Sequence, residues 1–400
     1  MRAYNETWVR NRTVVRQAEQ WHRQRRLTDA QIDAVRQFFP FEFRQTNGFL
    51  EVGLFLFTIV AIMSCYLLPA TAITGLLDDR STSALFNIGF GITTGLVGRL
   101  LINRRQLYRN GADNAFVVML TGFLAFGFNQ FLPTDLTIAT YCLLTLPLLL
   151  LVLWYYGDTL IAFITLTTFY AFVFDGMLQF SWGKAALPFV MMAVSGLLFV
   201  VARRVDKSPY YADLLNMVQW VALVVLAASG NYYVVRELNG LLMDSVPGLS
   251  ADAPEIALPV LFWLLTFVIP AVCLQQGLTR KNRMLLILGG LGLIGAIITV
   301  HEYVALLPLN VALTLGGLVL IGLAVVSIRF LRQPRTSAGR LAAYRNDFTD
   351  EPDHESLNQF FVNVGTAVAM QAAAGAQQQP KEGIRFGGGD FGGGGSEGKY

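Results

Sequence analysis

Ionisable and amide side chains are scarce within the long apolar stretches of this 400-residue chain, so each is a candidate for chemistry. Asp175 and Gln179 lie late in one stretch, His301 and Glu302 late in another, Asn129 and Gln130 late in a third. Asn231 is late in a fourth, while Asn87 and Asn310 come early in two more. Imidazole titrates near neutral pH and a carboxylate can share its proton, so Asp175 with His301 is the pairing that suits proton- or cation-linked chemistry. His301 and Glu302 are adjacent and point about 100° apart on a helix, so they cannot face one site equally well. A structural reading competes, in which polar side chains near a membrane interface snorkel toward it or bond to headgroups. Glu51, Arg99 and Asp158 sit at the ends of apolar stretches and read as boundary residues that reach the interface.

Other chemistry is weakly supplied. Cys65, Cys142 and Cys273 are far apart, each within an apolar stretch, and form no metal or disulfide spacing. They read as small packing residues. His22 has no second ligand nearby. There is no HExxH, no histidine cluster and no paired acidic motif, so the chain is not expected to be an enzyme, and no catalytic group, cofactor or metal site is expected. The net charge of +3 is too small to suggest nucleic-acid binding. Gly91-Ile-Thr-Thr-Gly95 has GxxxG spacing, and Gly289, Gly290, Gly292 and Gly295 form a second small-residue face. Small residues let helices approach closely in lipid. The sharper alternative for these glycines is a hinge or broken helix of the kind transporters use.

The elements that carry these residues are set by hydropathy. The chain is 54% hydrophobic and 14% charged, with a mean hydropathy of +0.49; soluble domains carry roughly 25% charged residues. Apolar runs long enough to span a bilayer fall near 49–69, 84–102, 113–132, 136–156, 158–180, 185–202, 214–235, 256–276, 284–303 and 309–328. The pattern predicts an all-α, polytopic bundle of about ten transmembrane helices, since lipid-exposed backbone must satisfy its own hydrogen bonds. Leu143 to Leu153 does not alternate as a barrel strand would.

Basic residues orient the bundle. Arg104, Arg105 and Arg109 follow the second run, Arg203, Arg204 and Lys207 the sixth, Arg280, Lys281 and Arg283 the eighth, and Arg329, Arg332 and Arg335 the tenth. Loops on the other side hold only Arg80, Lys184 and Arg236. By the positive-inside rule both termini are cytoplasmic, and the polar candidates above fall in the outer third of the bilayer as a possible periplasm-facing vestibule. Successive basic loops must enclose an even number of spans. The stretch 113–202 therefore holds four, with a turn at Gly157-Asp158 that carries no basic residue and is the weakest break.

Residues 1–48 read as a cytosolic helical hairpin, with Trp8, Val15, Ala18 and Trp21 on one apolar face. Thr28-Asp29-Ala30-Gln31 is a capping box that opens a second helix, burying Ile32, Val35 and Phe39 before Pro40. So small a hairpin is expected to dock on the bundle or on a partner. Residues 49–330 form the bundle. Residues 331–370 form a cytosolic segment whose Leu357, Phe360, Phe361, Val364 and Val368 have helical spacing, and 371–400 a disordered glycine-rich tail.

The basic hairpin followed by Phe49 to Leu68 and many short-looped spans resembles uncharacterised predicted-membrane-protein families of bacteria. The closing FGGGDFGGGGSEGKY is similar to glycine–phenylalanine tails of several bacterial envelope proteins. The resemblance implies a bacterial inner-membrane protein and no known chemistry. Two readings follow: a scaffold or sensor whose cytosolic ends bind a protein partner, or a small-solute or proton-coupled transporter. The lipid bilayer is a partner in both.

Overall fold

The computed structural model describes residues 2–23, 26–44, 48–205, 208–242, 256, 258–280, 282–304 and 308–332. The chain falls into two units, Met1–Thr349 and Asp350–Tyr400. The helix expected over Leu357 to Val368 and the glycine-rich tail lie outside the described residues.

Every regular element among the described residues is helical. The order is α1 (Glu6–Arg23), α2 (Asp29–Phe38), α3 (Gly48–Ala72), α4 (Thr74–Leu77), α5 (Arg80–Arg105), α6 (Ala112–Phe131), α7 (Ile138–Tyr156), α8 (Thr159–Leu178), α9 (Gly183–Arg204), α10 (Ala212–Gly230), α11 (Tyr232–Leu242), α12 (Pro259–Arg280), α13 (Arg283–Val304) and α14 (Leu309–Arg332). Among the described residues nine of these, α3, α5 to α10, α12 and α13, are long and apolar enough to cross a membrane. They coincide with the first nine predicted runs, and the tenth run folds as the 24-residue α14. Large apolar side chains stand bare on their outer surfaces, such as Phe57 at 72% and Val260 at 80% exposure. A surface of that kind is stable against hydrocarbon and aggregates in water.

One run differs from expectation. The stretch 214–235 is not continuous, because α10 ends at Gly230 and α11 begins at Tyr232. Asn231 is extended at φ −85°, ψ 126°, and its Oδ1 accepts from the Val234 N–H at 3.2 Å, capping α11. An amide beside a glycine favours such a break, since both residues stabilise a helix interior poorly.

Consecutive helices pair. The most extensive contacts are α5 with α6, α7 with α8, α9 with α10, and α12 with α13. Further packing runs mainly to chain neighbours: α3 on α6, α8 on α9 and α10, α10 on α12 and α13. Among the described residues no helix from α3 to α7 packs extensively on one from α9 to α14. The bundle is thus a series of hairpins rather than two interlocked halves. Glycines set the closeness of two pairs. A Cβ at Gly95 or Gly98 would stand 3.0 Å from Leu120 or 2.8 Å from Phe116. At Gly289 and Gly292 it would meet Leu274 at 2.6 Å and Pro270 at 2.7 Å, whereas Gly290 faces open space.

The Gly157-Asp158 turn is built for its place. Gly157 has φ +62° and donates its N–H to Leu153 O at 2.8 Å. Asp158 caps α8 by accepting from the Leu160 and Ile161 N–H groups at 2.8 and 3.0 Å. A Cβ on Gly157 would lie 2.5 Å from the Tyr210 ring, so glycine is required both for the left-handed backbone and for the close approach. Tyr210 belongs to the α9–α10 connection, which follows Arg203 and Arg204. The turn therefore shares an end of the bundle, here the basic end, with that connection.

Candidate functional site

At the end opposite the basic turns, Asn87, Asn129, Gln130, Asp175, Gln179 and Asn231 are bonded in separate groups. Asn129 of α6 donates to Thr145 Oγ1 of α7 at 3.1 Å. Gln130 accepts from Asn87 Nδ2 at 3.2 Å and donates to Ser83 Oγ at 3.1 Å. Asn87, 1% exposed, also accepts from the Tyr66 hydroxyl at 3.0 Å, which ties α3, α5 and α6 together. Asp175 accepts from the Ala139 N–H at 2.7 Å, so α8 caps the start of α7, and Gln179 donates to Thr137 at 3.1 Å. Asn231 donates to Thr299 Oγ1 of α13 at 3.2 Å. His301 is half-buried, with a buried Nδ1 that has no hydrogen-bond partner among the described residues. Glu302 is exposed. No hydrogen bond among the described residues joins Asp175 to His301.

The basic end holds a more deeply buried group. Asp113, at the start of α6, is 0% exposed. Its Oδ2 accepts from the Tyr4 hydroxyl at 3.0 Å and the Arg109 N–H at 2.7 Å, and its Oδ1 from the Asn110 N–H at 2.9 Å. Arg109, at φ +52°, is held in this left-handed turn by that bond and by an ion pair of its guanidinium with Asp213 on α10. Gly111 follows at φ +90°, where a Cβ would collide with the Glu51 carbonyl of α3.

The N-terminal residues run across three turns. Ala3 N–H donates to Tyr155 O at 3.1 Å. The Tyr4 ring packs edge-on against Tyr108 at 5.0 Å and tilted to Tyr210 at 6.4 Å. Arg2 lies over Tyr210 and Tyr211 at 5.0 and 4.8 Å, and Arg12 over Tyr108 at 5.0 Å. Tyr210 donates its hydroxyl to Tyr155 O at 2.8 Å. From the other end of the hairpin, Phe43 stacks on Tyr108 at 4.8 Å, Arg44 N–H donates to Gln106 O at 3.3 Å, and Gln106 donates to Glu42 at 2.7 Å. One apolar cluster includes Ala3, Tyr4, Val9, Phe43, Tyr108, Tyr156, Ile161 and Tyr210. The turns α5–α6, α7–α8 and α9–α10 are thereby stapled by residues 2–12 and 42–44.

Two expectations change here. Asp158 does not reach an interface: it is 9% exposed, with its Oδ1 taken by the Leu160 and Ile161 N–H groups. Burial raises its carboxyl above the usual value, the Ile161 and Leu160 N–H groups pull the other way, and Asp113 adds to the rise. On α1 the expected apolar positions Val15 and Ala18 are buried at 3% and 4% exposure, but Trp21 near the helix end is 44% exposed. The second helix does open on the expected box, with Thr28 and Gln31 capping each other's backbone. Burial, reinforced by Asp113 and Asp158, keeps the Tyr4 phenol protonated and donating. Burial also pushes Tyr210 up and draws Arg12 down, the latter opposed by Tyr108.

Both Asp113 oxygens accept donors, so this side chain ties Tyr4 to the α5–α6 turn. Among the described residues no three His, Cys, Asp or Glu side chains group to hold a metal. Sequence reasoning missed this cluster, whose members come from separate segments. Tyr4, Tyr108, Tyr155, Tyr156, Tyr210 and Tyr211 fall at this end, but Tyr141, Tyr232, Tyr233 and Tyr303 fall at the other, so tyrosine placement alone looks like an ordinary interfacial belt.

The fold defines a multi-pass helical membrane protein. Compared with protein families, curated proteins and solved structures, the chain matches none.

Proposed function

We propose that this chain is a scaffold or sensor of the bacterial cytoplasmic membrane, with both termini in the cytoplasm and a protein partner bound by its N-terminal hairpin. The observation that carries this reading is the staple: three hairpin turns converge on Tyr4 and Asp113, so the state of the N-terminal segment is coupled to the packing of the bundle. The serial arrangement of hairpins supports it, as does the bonding of interior amides to adjacent helices. Orientation is supported by the gathering of Arg109, Arg203 and Arg204 with the N-terminal segment at one end.

Transport is favoured by one observation, the helix break at Asn231. It follows the 19 residues of α10, about 28 Å at 1.5 Å per residue, and so lies near the far end of the span. Broken helices that bind solutes do so near the midplane. The scaffold reading is therefore preferred.

Photo-crosslinking amino acids placed in cells at Trp21 and Phe38, which are 44% and 82% exposed, test it. A discrete protein adduct from either site, with reporter fusions placing both termini inside, is expected. No adduct from either site, or an external N-terminus, contradicts the reading.

A further inference from the structure

A cavity of about 340 Å³ lies between α9, α11 and α12 at the end opposite the basic turns. Its walls are Leu187, Pro188, Val235, Leu238, Leu242 and Phe262. Val235, Leu238, Asn239 and Leu242 recur at i, i+3, i+4 and i+7, so one face of α11 lines it. The other face is engaged elsewhere: Tyr303 of α13 donates to Glu237 at 2.8 Å and Arg236 lies over Tyr303 at 4.6 Å. Water finds few partners against such walls, while hydrocarbon fits them. The volume is that of a small-ligand site, roughly 300–1,000 Å³.

Among the described lining residues Lys184 alone is charged. Its Nζ donates to Leu242 O at 2.8 Å, and an ammonium has further N–H donors to offer. Ser181 and Asn239 add a hydroxyl and an amide. Trp182, stacked on Phe180 at 5.5 Å and 59% exposed, stands where α9 begins and reads as an interfacial aromatic. The cavity is thus at headgroup depth, with apolar walls and a cationic rim.

We propose that this cavity binds an acyl chain of an anionic lipid, with Lys184 beside the headgroup. The proposal does not rest on the scaffold reading. Full-length protein in detergent, incubated with phosphatidylglycerol, phosphatidylcholine or oleate, can be examined by native mass spectrometry. Phosphatidylglycerol should be retained over phosphatidylcholine by about fivefold, the scale of one lysine near a membrane surface. Lys184→Gln should bring that ratio near unity and Lys184→Arg should keep it. Leu238→Trp, which fills the cavity, should reduce retention of both lipids; Ala185→Phe does so from the α9 wall if Leu238→Trp fails to fold. Oleate competing as well as phosphatidylglycerol would assign the site to single-chain anions, and oleate failing to compete would assign it to phospholipid. Equal retention of the two phospholipids by the unaltered protein, or a preference indifferent to these variants, overturns the proposal.

Discussion

Asp113 is buried at the start of a membrane helix, and Tyr4, more than a hundred residues away, supplies one of its three hydrogen bonds. A hydrogen bond to a charged group contributes about 1.5–3 kcal/mol. Tyr4→Phe should therefore destabilise the protein by about that amount, and most of the effect should vanish in an Asp113→Asn background. Unfolding in mixed micelles of the four proteins of this double-mutant cycle measures the coupling. Asp158 makes a second residue-scale case. Its folded pKa is raised above the ordinary 3.8, so its contribution to stability is fully present below that value and is lost as pH rises through the folded pKa. Asn also caps a helix but carries no charge. Asp158→Asn should thus match the unaltered protein at low pH and gain on it as pH rises toward 7, read as the difference in thermal midpoints. Neither role was legible in the sequence. Asp158 looked like an interface residue because its place at the end of an apolar run does not show that the fold buries it.

Elements were far more legible than residues. An apolar run and its basic flanks are local properties, so nine spans, the capping box at Thr28 and the glycine face of α5 can be read directly. Parity between basic loops predicted a turn at Gly157-Asp158, and the left-handed Gly157 with its Asp158 cap forms it. The break at Asn231 was hidden because hydropathy continues through it: Tyr232 to Val235 are as apolar as a helix interior requires. Gly98→Leu should separate α5 from α6, since the added side chain enters Phe116, and overpacking of this kind costs about 1–3 kcal/mol. Asn231→Ala removes the bond to Thr299, and should cost less, about 0.6–2 kcal/mol. Both are measurable as reduced unfolding force or lowered thermal midpoint of the purified protein.

Among the described residues, the series of hairpins means that most contacts are formed between chain neighbours, and the staple joins the α5–α6, α7–α8 and α9–α10 turns. The sequence could not reveal this, because the staple consists of side chains from separate segments that no periodicity links. If the staple governs how the hairpins pack, its loss must be felt at all three turns together. Hydrogen–deuterium exchange of the unaltered protein and Tyr4→Ala, in the same membrane mimic, tests that most directly. The account predicts protected amides at residues 2–9 in the unaltered protein. In the variant, protection should fall together at residues 2–9, 106–112, 155–161 and 208–213, while residues 137–141 at the far end keep theirs. Rapid exchange at residues 2–9 in the unaltered protein, or a loss confined to that segment in Tyr4→Ala, would contradict it.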